Sequence, residues 1–168
     1  MFQIGDLIIY GSTGVCQVTD ITVMDQIGVG RKSYYVMKPL YQGGVIYTPV
    51  DNKKVLMRPI ISAGEVEQLI DSIPSMKAEA FHCRESNQLI KHYDAVLKTY
   101  NCEQLVELRM SIYAKKQLMK EQNRKFGAVD EKYMKLAEDV LFGEMAAALQ
   151  INKEDVSAYI TNRLELVT

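Results

Sequence analysis

The chain has 168 residues, 48% of them hydrophobic and 24% charged, with a formal net charge of −1. That balance is ordinary for a globular protein and excludes disorder as its main state, and no apolar run is long enough to cross a bilayer. Three cysteines, Cys16, Cys83 and Cys102, are far apart and odd in number, which speaks for reduced thiols and against a disulfide frame or a zinc site.

The opening MFQIGDLIIY contains Asp6 and no basic residue, so it does not read as a signal peptide. Leu7 to Tyr10 is an apolar run between Gly5-Asp6 and Gly11-Ser12-Thr13-Gly14, the pattern of a strand between turns. Val15 to Ile21 reads as a second strand, and Asp25, Gly28 and Gly30 mark a hairpin tip. Tyr34 to Met37 is a third strand by its aromatic and β-branched content. Gly43-Gly44 predicts a two-residue hairpin turn into Val45 to Thr48, and Pro49 marks that strand as short or at an edge. Val55 to Met57 completes five short strands in under sixty residues, which predicts a small SH3-like or Tudor-like β-barrel.

The period then changes. Ser62 and Glu65 have capping-box spacing, and Val66, Leu69, Ile70 and Ile73 follow at helical intervals before Pro74-Ser75. Further helices are expected over Glu85 to Tyr100, from Cys102 to Arg124, from Asp130 onward and from Asn152 onward. Their inward faces would include Leu89 and Tyr93, then Leu108, Ile112, Tyr113 and Leu118, then Tyr133, Leu136 and Leu141. The expected fold class is α+β: a β domain over residues 1–61, then an all-α domain over 62–168 whose first helix, 62–75, is a linker.

Charge is uneven along the chain. Residues 84–125 hold nine Lys/Arg against five Asp/Glu, and residues 126–168 hold four against eight. A local excess of four cations matches a small nucleic-acid footprint or a solvated helix face.

Two β motifs carry a resemblance. The first is Gly5-Asp6, three apolar residues and Tyr10, then Gly14-Val15. The second is Tyr35, Val36 and Lys38, then Gly44, Pro49 and Asn52. In this order they resemble the RNA-polymerase-interacting domain of the CarD/CdnL family of bacterial transcription regulators, a domain shared with transcription-repair coupling factors. YDAVLKTY from Tyr93 and DEKYMKLAEDVLFGEMA from Asp130 are similar to that family's helical half. The nucleotide-binding motifs of the coupling-factor motor are absent from the sequence.

The resemblance implies a non-enzymatic regulator, cytoplasmic and nucleoid-associated, with no cofactor, metal, catalytic residue or small-molecule substrate. Its partners would be the RNA polymerase β subunit and promoter DNA. Polymerase binding by strand addition falls on Val45, Ile46, Tyr47, Thr48 and Pro49; some family members carry Arg at the position of Tyr47. DNA contact falls on Arg84, Leu89, Lys91 and His92, with Leu89 where the family has a Trp wedge for the minor groove, and would stabilise the open promoter complex. A weaker, largely non-specific hold follows, since Leu lacks the indole's area. The periodicity also allows Leu89 as a core residue.

Another class of function is a protein-interaction adaptor with no direct DNA contact. Tyr10, Tyr34, Tyr35, Tyr41 and Tyr47 raise an aromatic cage for a methylated cation, but strand tyrosines more often pack. His82-Cys83 has no second His/Cys pair at ligand spacing. Glu138, Asp139 and Glu144 read as the solvent face of a helix.

Overall fold

The structure, a computed structural model, describes residues 1–167; Thr168, the last residue of the expected helical domain, lies outside them. The chain divides into two compact units, Met1–Ile61 and Ser62–Thr168.

The first unit holds β1 (Leu7–Tyr10), β2 (Gly14–Gln26), β3 (Gly30–Pro39), β4 (Ile46–Pro49) and β5 (Met57–Pro59) in one antiparallel sheet of order β4-β3-β2-β1-β5. No pairing joins β4 to β5 among the described residues, so the sheet is open where a closed barrel was expected. β2 and β3 pair along most of their length, with a bulge between Val18 and Asp20. There the Thr19 hydroxyl donates to the Val36 carbonyl at 3.1 Å, so the skipped residue keeps a partner. Ile8, Cys16, Val18, Tyr35 and Met37 form the core, with Phe2, Tyr10 and Ile46 packed against it.

Gly11 opens the 3-10 turn between β1 and β2 at φ +45° and is buried. A Cβ there would lie 2.8 Å from Val55 Cγ1, so both backbone angle and space require glycine. The Gly43-Gly44 expectation fails: β3 ends at Pro39, β4 begins at Ile46, and only Gly44 of the pair has positive φ. The link is a longer loop, because Met37 already pairs with Ile46.

The second unit holds α1 (Ala63–Ser72), α2 (Ser86–Leu97), α3 (Cys102–Glu121), α4 (Ala128–Leu149) and α5 (Val156–Val167). The Ser62–Glu65 capping box closes in both directions at the start of α1. The Asn101 side chain accepts from the Gln104 N–H at the start of α3. Leu89 and Tyr93 of α2, Leu108 and Ile112 of α3, and Tyr133 and Ala137 of α4 form a common core. Three expected inward residues are exposed: Tyr113, Leu118 and Leu136. Each stands beside the face its helix buries, next in sequence to Ile112 and Ala137 in two cases.

Candidate functional site

β4 is an edge strand, paired only with β3. The phase of its ladder is set by one bond: the Val50 N–H donates to the Ser33 carbonyl at 3.0 Å. Antiparallel pairs alternate between bonded and non-bonded. Tyr34–Pro49 is therefore a non-bonded pair, Tyr35–Thr48 a bonded one, and Val36–Tyr47 non-bonded again. Pro49 thus stands where the ladder asks for no N–H, and the Tyr47 N–H and carbonyl point away from β3. The Pro49 carbonyl is occupied by the Asn52 N–H at 3.0 Å. The edge open to a partner is short and centred on Tyr47.

The five residues expected at this edge divide by the pleat. Val45 and Tyr47 are exposed, at 48% and 56%. Ile46 packs on the sheet's core, and Pro49 is half-buried. Thr48 is buried, and its side chain is an internal tie. Its hydroxyl oxygen accepts from Asn52 Nδ2 at 2.9 Å and from the Tyr10 hydroxyl at 3.4 Å. This gives Asn52 a physical role: its Oδ1 also accepts from the Lys54 N–H, fastening the turn after β4 to the strand.

In the helical unit, Arg84, Lys91 and His92 are exposed. The His92 ring stacks on Phe81 with centroids 3.7 Å apart and planes 11° from parallel. Leu89 is 6% exposed, inside the cluster with Tyr93, Leu108 and Ile112. The expectation of Leu89 as a wedge is corrected: the helical interval to Tyr93 turns both toward α3 and α4. Phe81 was not singled out in the sequence, because it lies in a segment without periodicity.

Beneath Leu89 lies a polar network that the sequence did not show. Lys115 and Asp130 form a buried ion pair, Nζ to carboxylate at 3.0 Å. The Tyr93 hydroxyl donates to the same carboxylate at 2.5 Å. Burial first, and the Asp130 carboxylate second, push the Tyr93 phenol far above its ordinary range. A separate bond joins the Tyr133 hydroxyl to Asp94 Oδ1 at 2.7 Å, and burial and then Asp94 push that phenol up to about 12. Glu144 is not on a solvent face: it is 1% exposed and accepts from the Cys102 thiol at 3.2 Å. Burial raises the Cys16 thiol to about 11, which makes it a poor nucleophile at neutral pH.

A cleft of about 1040 Å³ is lined by the Lys115–Asp130 pair together with His82, Arg84, Arg124 and Lys125. Among the described residues there is no group of three or more potential metal ligands and no helix long and apolar enough to cross a membrane.

Residues 2–61 match the family described as the CarD-like/TRCF RID domain. Over these residues the chain is similar to a CarD-like RID domain. Domains of this family interact with the RNA polymerase β subunit. The match coincides with the open-edged sheet and ends where α1 is about to begin, so it covers the first unit and none of the helices. No curated protein matches the chain significantly.

Proposed function

We propose that this chain is a bacterial transcription regulator that binds the RNA polymerase β subunit by strand addition to β4 and steadies the open promoter complex with its helical unit. The observation that carries the first contact is the outward-facing N–H and carbonyl of Tyr47 on an edge strand of a RID domain. An unpaired edge supplies main-chain bonds, and alternate side chains supply selectivity. Val45 and Tyr47 are the side chains available for that purpose, beside exposed Leu40 and Tyr41.

The second contact is with DNA phosphates through Arg84, Lys91 and His92, which are exposed. No wedge role falls to Leu89, so the hold is electrostatic, and with few cations it is modest and only moderately salt-dependent. A protein-interaction adaptor is the second reading, favoured by that same burial of Leu89, which leaves the helical unit without an inserted side chain.

The edge is tested by Tyr47→Pro in the full chain. Proline removes the outward N–H at a ladder position where β3 makes no use of it, so the sheet is expected to persist by circular dichroism. Leaving the partner's carbonyl unpaired costs about 1–3 kcal/mol, or about a five- to 150-fold weaker Kd for the polymerase β subunit. Tyr47→Ala, which keeps the N–H, separates ring from backbone. Equal affinity for wild type and a folded Tyr47→Pro protein would sink strand addition at β4. Binding of a promoter duplex at low salt, and its loss in Arg84→Ala/Lys91→Ala, tests the DNA contact.

A further inference from the structure

The cleft over Lys115 is not needed by the polymerase contact, and it shares only Arg84 with the proposed DNA contact. Four cations line it, Arg84, Lys115, Arg124 and Lys125, against one carboxylate, Asp130. That carboxylate is already taken up by Lys115 and the Tyr93 hydroxyl. Arg84, Arg124 and Lys125 make no ion pair among the described residues. Elsewhere in the unit, Arg109 and Arg163 are each satisfied by carboxylates, Glu138 at 2.8 Å and Asp71 at 2.8 Å. Three cations that make no ion pair among the described residues thus line one concavity, in a chain whose overall charge is −1.

Such a concavity focuses its field on whatever enters it. Two of the three uncompensated cations are arginines, whose planar forks match phosphate oxygens in pairs. Phosphate is also favoured over carboxylate because three cations call for more than a single negative charge. The shape argues for a small ligand over a duplex. Lys115 lines the cleft yet is only 6% exposed, too recessed for the broad convex surface of a duplex to touch.

We propose that this cleft binds a small anion carrying two phosphate groups, held by Arg84, Arg124 and Lys125. The inference deepens the promoter-binding reading only through Arg84: an occupied cleft withdraws one of that reading's phosphate contacts, and so weakens the hold on DNA.

The test is a titration of the full-length, isotope-labelled chain with inorganic pyrophosphate at constant ionic strength, followed by backbone amide shifts. Saturable shifts confined to residues 82–86 and 124–130 are expected. Arg124→Ala/Lys125→Ala should weaken them at least tenfold. Lys53→Ala/Lys54→Ala, which removes the same charge from the first unit, should leave them unchanged. Non-saturating shifts spread over the basic residues overturn the proposal, as does an equal loss in both double variants. A second titration uses a promoter duplex. If duplex alone moves the cleft amides, the small-anion site is overturned and the DNA reading stands. If pyrophosphate moves the cleft while duplex leaves Lys91 and His92 unmoved, the DNA reading falls and the cleft remains an anion site.

Discussion

Lys115 is counted among the local excess of cations in the sequence, yet the fold neutralises it on Asp130, fifteen residues away and on the next helix. Removing one member of a buried pair leaves the other charge uncompensated. Lys115→Met is expected to lower unfolding stability by about 3 kcal/mol, at the low end of the usual range because Tyr93 still donates to Asp130. Urea unfolding of the variant checks it, and a change under about 1 kcal/mol would mean that the pair is idle. Leu89 shows the converse case. Its helical interval to Tyr93 read as core while the family resemblance read as a wedge, and the packing of α3 and α4 buries it. Leu89→Ala should cost about 2–4 kcal/mol of stability through the cavity it leaves. Affinity for a promoter duplex, measured where the variant is still folded, should stay as it was. A stable variant with weakened DNA binding would restore the wedge.

Elements were most legible where local chemistry decides them. The Ser62–Glu65 box is a contact between residues three apart, so α1 begins where the spacing says it should. Ser62→Ala should destabilise the helical unit by about 1 kcal/mol, read as a shift in its denaturant midpoint; an unchanged midpoint would show the cap to be dispensable. Pro49 likewise marked an edge strand, and the ladder phase explains why a proline is tolerated there. The Gly43-Gly44 turn misled because register is set by pairing over the whole of β3, not by two flexible residues. Met37 opposite Ile46 commits the chain to a longer loop. Helix faces were legible to within one residue: Ile112 and Ala137 are buried and their neighbours Tyr113 and Leu136 exposed, since periodicity gives the direction of a face but not its width.

At the scale of the whole molecule, the family match covers the β domain and stops short of the helical unit. Alkaline pH provides a handle on that unit. Tyr133 has a folded pKa of about 12, against an unfolded value near 10. The unfolded chain therefore loses this proton first. The stability contributed by the protonated phenol is complete below pH 10 and is lost as pH rises toward 12. Thermal melts of wild type and Tyr133→Phe should accordingly differ most below pH 10 and converge above it; a gap independent of pH would show that the Asp94 bond does not hold the phenol's proton. The sequence by itself determined the order of strands and helices, the change of period at Ser62 and the motifs of the β domain, because those depend on neighbours along the chain. Tertiary structure alone decided that the sheet stays open at β4, that Thr48 and Leu89 turn inward, and that Arg84, Arg124 and Lys125 share one cleft. Each of these depends on residues distant in sequence competing for the same buried space or ringing the same concavity, which no local spacing records.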